Sequence, residues 1–234
     1  DPDTTYDWIE ASQRDTGVTT PGAGNRSYIT IDNLDIRYVA KHGIKTDLLA
    51  TGWTISNNNV SYVSLPHNAY ADGIYVNSSN SIVSGNTIHD AGDHGIYVLS
   101  NYSAGTVENV IVENNTLYDC YHTGIDVMNL AGTLRNVTVR GNKYYNTSNY
   151  DTTWTNRGIL VSTGSGYYTE SIDIYNNVIY NICDTGIQIG GTPGNERDIG
   201  IYNNTVYEKL SSCTVGTWGY LIKSTMSTGT NKFI

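Results

Sequence analysis

The chain carries five histidines, His42, His67, His89, His94 and His122, all in its first 122 residues of 234. His94 follows Asp93 in the stretch AGDHGIYVLS. His42 stands directly before Gly43, Asp72 before Gly73, and Arg157 before Gly158, while His122 sits two residues before Gly124. Imidazole titrates near neutrality, so histidines grouped with Lys, Tyr, Asp and Arg are the material of proton transfer. A single histidine in a turn reads more simply as a polar surface bend. Five of them in or beside the connection into one recurring strand favour chemistry.

That strand is the element that must position them. It recurs as GIKT at Gly43, GIYV at Gly73 and Gly95, GIDV at Gly124, GILV at Gly158, GIQI at Gly186 and GYLI at Gly219, at intervals of 22 to 34 residues. A second column aligns Asn58, Asn86, Asn115, Asn142, Asn177 and Asn204, with Leu34 in the first place. Apolar residues stand three before and two after each member, as in Ile55 and Val60 or Val112 and Leu117. Each period thus holds three short strands: Gly-Ile-x-Val, one before the Asn and one after it. Intervals of this size mark a solenoid, and stacked parallel strands make a β-helix in which the Asn amides line up along the axis. A β-sandwich would need two-residue hairpin turns that the chain lacks.

The GIxV and xIxxNxI register, over roughly residues 28 to 222, resembles the right-handed parallel β-helix repeats of the pectin-lyase-like superfamily. The resemblance implies an all-β, right-handed, single-stranded parallel β-helix of about seven coils with three short strands per coil. Residues 1–27 are expected to cover the first coil or form part of it. Residues 28–234 form the β-helix, which is expected to continue further or be covered at its C-terminal end, because TNKFI reads as the start of another strand. The superfamily includes lyases, C5-epimerases, glycoside hydrolases, tailspikes, adhesins and metal-delivery proteins, so the fold does not name the activity.

Alternation sends Ile and Val of each run inward and the residue between them outward. Lys45, Tyr75, Tyr97, Asp126, Leu160 and Gln188 then form an outward column beside His42, Asp72, His94, His122 and Arg157. The resemblance implies an extended polysaccharide along this face. For elimination or C5 epimerisation of a uronan, Lys45 or Arg157 would neutralise the carboxylate, His94 in an exposed bend would be the base, and Tyr75 or Tyr97 the acid. Asp126, His42, His122, Tyr118 and Gln188 complete the candidate set. Asp72 would orient a histidine or bind Ca²⁺ with Asp93. The family's calcium aspartates and its Lys or Arg base have no matching motif here. An inverting hydrolase is the competing enzyme, since Asp72 and Asp126 are two coils, about 9 to 10 Å, apart. A non-catalytic adhesive or structural solenoid, self-associating or bound to a partner, is the other class. Tyr118, Tyr145, Tyr180 and Tyr207 suit it as an outward aromatic row, with His89 in the same column.

Composition narrows the partners. The formal net charge is −9 without a Lys/Arg cluster, which argues against nucleic acid. No apolar stretch is long enough to span a membrane as a helix. Eight Asn-x-Ser/Thr sites, among them Asn101, Asn114 and Asn136, would accept N-glycans on a secreted or cell-surface protein. Of three cysteines, Cys183 and Cys213 fall on one connection in neighbouring coils and are expected to pair, leaving Cys120 buried and single.

Overall fold

The computed structural model describes residues 7–10, 15–19, 26–46, 48, 50–64, 70–146, 156–190, 195–209, 222–224 and 232–233. Among these the regular structure is all strand, wound into a right-handed parallel β-solenoid of about six turns. The further period counted from Gly219 lies mostly outside the described residues. No described helix is long and apolar enough to cross a membrane.

Every strand pairs in parallel with its copy in the next turn. The first sheet runs through Thr16–Val18, His42–Lys45, Ile74–Val76, the opening of His94–Glu113, the opening of Thr123–Arg140, Arg157–Thr163, Thr185–Ile189 and Ile222–Ser224. The second begins at Thr30–Asp32, Thr54–Ser56 and Ile82–Ser84. It continues through the closing halves of the two long strands into Tyr168–Tyr175 and Asn195–Tyr202. The third comprises Asp7–Glu10, Leu34–Arg37, Asn59–Val63, Thr87–Ala91, Thr116–Tyr118, Lys143–Tyr145, Val178–Ile182 and Thr205–Lys209.

Inside the coil the repeating Ile, Val and Leu columns form one continuous buried core. Removal of this surface from water is the main force winding the chain. The Asn column runs beside it: Asn58 Nδ2 donates to Asn86 Oδ1 at 3.0 Å, and the relay continues through Asn115, Asn142 and Asn177 to Asn204. Each Asn oxygen also accepts the backbone N–H of the preceding coil's residue in the column, beginning with Leu34. The residue just before each Asn, such as Asn57, Gly85, Asn114 or Gly141, has φ between 52° and 67°, a left-handed corner that Asn and Gly adopt most readily.

The glycine before each Ile has a different cause. A Cβ on Gly95 would lie 2.7 Å from the Gly124 carbonyl oxygen and 2.5 Å from Leu117 Cδ2. On Gly73 it would lie 2.6 Å from the Gly95 oxygen. Neighbouring backbones meet here too closely for a side chain. This contact brings the residue ahead of each glycine against its counterpart one coil away.

Cys120 is free and buried, and burial raises its thiol pKa. Cys183 is disulfide-bonded; Cys213, its expected partner, lies outside the described residues.

Candidate functional site

On the first sheet Lys45 pairs with Tyr75, Tyr75 with Tyr97, Tyr97 with Asp126, Asp126 with Leu160 and Leu160 with Gln188. Beside this column the glycine-preceding residues meet. Asp72 is fully buried; its Oδ1 lies 2.8 Å from His94 Nδ1, and its Oδ2 lies 3.0 Å from His42 Nδ1. The other nitrogen of His94, Nε2, lies 3.2 Å from Asp126 Oδ2 and 3.3 Å from His122 Nδ1. Asp93 Oδ1 is 3.3 Å from His122 Nδ1, and its Oδ2 accepts the Tyr70 backbone N–H at 2.8 Å. Arg157 Nη1 lies 3.2 Å from His122 Nε2, while Arg157 Nε donates to Gln188 Oε1 at 2.8 Å.

The ledge is not the exposed bend expected of it. His94 and Tyr97 are 6% exposed and Asp126 is 0% exposed; Tyr75, Leu160 and Gln188 are buried as well. Their side chains leave the coil interior as alternation requires, but a second layer covers them. Leu99 and the half-buried Met128, two residues further along the same outward face, pack with Tyr75 and Tyr97. The Tyr97 hydroxyl donates to Met128 Sδ, and the Tyr75 oxygen accepts from Asn101 Nδ2. Apolar residues at outward positions 99 and 128 were the available sign of this cover. The partly exposed members are Asp93, His122, Arg157 and Lys45, whose Nζ lies 5.0 Å from the Tyr75 ring centroid.

Burial and charge oppose each other in this cluster. Burial favours the neutral His94 ring, but Asp93, Asp126 and Asp72 together hold its pKa well above that of free histidine. Burial likewise works against an ionised Asp93, and is outweighed by His94, His122 and the Tyr70 amide, so its pKa falls. Tyr97 and Tyr75 are raised chiefly by burial and keep their protons at neutral pH. Arg157 is lowered by burial, against Asp184 and Asp126, yet arginine stays charged through the ordinary pH range.

Not every candidate belongs to this cluster. Tyr118 lies on the third sheet, stacked between His89 and Tyr145 at 4.6 and 5.3 Å, in a row that runs on through Tyr180 to Tyr207. His89 pairs there with Asp90. Of the five histidines, His42, His94 and His122 enter the network, and His67 lies outside the described residues. Residues 147–155, in the long connection ahead of the Arg157 strand, lie outside them too.

The donor set does not suit Ca²⁺. Calcium takes six to eight oxygens, whereas Asp72 and Asp93 here face imidazole nitrogens.

A family model described as "Right handed beta helix region" matches residues 14–171, well over half of the chain. The chain belongs to the right-handed β-helix family. Its solved neighbours are β-helix proteins of the pectin-lyase-like kind. One is a hyperthermoactive exopolygalacturonase from Thermotoga maritima, at 19% identity and TM-score 0.62, covering 77% of this β-helix and 42% of that chain. Another is a double-mutant tailspike protein of Escherichia coli bacteriophage HK620, at 15% identity and TM-score 0.71, covering 97% and 42%. A further double mutant of that tailspike, in complex with a pentasaccharide, matches at TM-score 0.69. This β-helix therefore spans less than half the length of the structures it resembles, and identities this low carry the fold alone. No curated protein sequence matches it.

Proposed function

We propose that this β-helix binds an extended acidic polysaccharide along its first sheet and transfers a proton there, in a reaction of the uronan lyase or C5-epimerase type. One observation carries the reading: on a single face, Asp72, His94 and His122 form an unbroken chain that ends at the half-buried cation Arg157. Elimination or epimerisation needs a cation against the sugar carboxylate and an acceptor for the C5 proton. Arg157 Nη1 faces His122 Nε2, which makes that nitrogen the acceptor. Once Arg157 turns to a uronate carboxylate, the nitrogen is left for the C5 proton. In elimination the C5–H electron pair becomes the new C4=C5 bond, the C4–O bond breaks, and the leaving oxygen takes a proton from solvent. His94 then acts through His122 rather than on the sugar. Lys45, four coils or about 19 Å away, would hold a second carboxylate of the same chain. The oligosaccharide-bound tailspike and the polygalacturonase among the structural neighbours support a glycan as the ligand.

An inverting hydrolase fits less well, because Asp72 and Asp126 are fully buried on either side of the His94 ring and have no open space between them for a sugar and a water. A non-catalytic secreted or surface solenoid is the second reading, favoured by the long aromatic row. Incubation with a panel of uronans and neutral glycans separates these outcomes. Ultraviolet absorbance of an unsaturated uronate marks a lyase, solvent isotope at C5 an epimerase, new reducing ends without that absorbance a hydrolase, and retention without turnover a binder. No binding to any acidic glycan would end the proposal.

A further inference from the structure

Asp93, His94 and His122 present one ligand atom each, all within 4.8 Å of one another. The His94 Nε2 to His122 Nδ1 and His122 Nδ1 to Asp93 Oδ1 separations are both 3.3 Å. Four-coordinate zinc with bonds of about 2.0 to 2.1 Å has edges of about 3.3 to 3.4 Å between its ligand atoms. Two of the three edges thus already have the size such an ion requires. We propose that Asp93, His94 and His122 form a binding site for a divalent transition ion of the zinc class, with the fourth position open toward solvent.

Two further observations point to a cation. Asp126 is fully buried, and its Oδ2 stands 3.2 Å from His94 Nε2, the nitrogen that would hold the ion. A buried carboxylate is costly unless a positive charge sits beside it; the protonated His94 ring supplies that charge, and an ion on Nε2 would replace the proton in that role. With Asp93, Asp126 supplies the two negative charges that balance a divalent ion. Asp72 supplies the other element of such a site: it lies 2.8 Å from His94 Nδ1, and a carboxylate that accepts from one ring nitrogen aims the opposite nitrogen's lone pair at a metal. Imidazole and carboxylate together suit zinc, cobalt or nickel better than calcium. Arg157 opposes the ion. Metal on Nδ1 of His122 puts the ring proton on Nε2, facing Arg157 Nη1, so the guanidinium must turn fully toward Gln188.

The site is read without any glycan, so its outcome is separate from that of the function proposed above. Tag-free, chelator-treated full chain is titrated with ZnCl₂ by calorimetry and with CoCl₂ by visible absorption. One ion per chain is expected, with the intense cobalt bands of a four-coordinate site. His122→Ala and Asp93→Ala should each weaken zinc at least about tenfold, Asp72→Asn about 10- to 100-fold, and Arg157→Gln should tighten it. Circular dichroism checks the fold of each variant, and the cobalt spectrum of the parent needs none of them. The absence of saturable zinc and cobalt binding overturns the site. So does a six-coordinate cobalt spectrum, zinc affinity unchanged in folded His122→Ala, or calcium bound as tightly as zinc. Because an ion on His122 Nδ1 leaves the ring proton on Nε2, the nitrogen that would accept the C5 proton, bound zinc should inhibit any glycan turnover.

Discussion

Two columns of polar side chains run along the solenoid axis, one residue per coil, and they behave differently. The inner one repeats a single residue: between its ends at Asn58 and Asn204 every amide donates to the next Asn and accepts from the one before. The outer one does not repeat: His42, Asp72, His94, Thr123 and Arg157 follow one another ahead of their glycines. An identical column is neutral and self-complementary, so its members satisfy each other wherever the register holds. A mixed column of acids and bases is satisfied only at particular places, and it leaves the buried Thr123 hydroxyl without a hydrogen bond among the described residues. In a repeat protein, the coils where the stacking residue changes type are where chemistry should be sought.

Substitutions can break this comparison, and the largest effect is expected at its centre. His94→Ala leaves Asp72 and Asp126 buried without their shared imidazole, which should cost about 3 to 5 kcal/mol of stability. Urea unfolding measures it, and a parent-like midpoint would mean the network holds nothing together. Asn115→Ala removes an amide whose Nδ2 donates to Asn142 and Val83 and whose Oδ1 accepts from Asn86. A loss of about 3 kcal/mol follows from the stranded groups; Asn115→Asp, which cannot donate onward, should cost about as much.

At the rim the comparison turns from stability to activity. His122→Ala should unfold within about 1 kcal/mol of the parent, as for a partly exposed residue, yet lower glycan turnover about a hundredfold or more. Initial rates beside Leu160→Ala, on the neighbouring column but making none of these contacts, provide the check. The smallest effect belongs to the third sheet. Tyr145→Ala takes one ring from the row stacked at 5.1 to 5.3 Å and should cost about 0.5 to 1.5 kcal/mol beyond lost area, with turnover unchanged. Lost turnover there would move the site to the wrong face.

The repeat alone determined the solenoid, its three sheets, the inward Ile and Val columns and the order Lys45, Tyr75, Tyr97, Asp126, Leu160, Gln188. The reason is that in a parallel coil the neighbour of a residue is its counterpart one period away, so register is periodicity. Tyr118 was legible as part of an aromatic row on the third strand for the same reason, and for that reason stands apart from the histidines. What periodicity could not supply was depth. Whether an outward side chain meets water depends on non-repeating residues such as Leu99, Asn101 and Met128, and these turned an expected open ledge into a covered one. Nor could it supply ring orientation. Only the folded coils decide that His94 turns one nitrogen to Asp72 and the other to Asp126 and His122, because that choice is made by contacts between three coils at once and by no single stretch of chain.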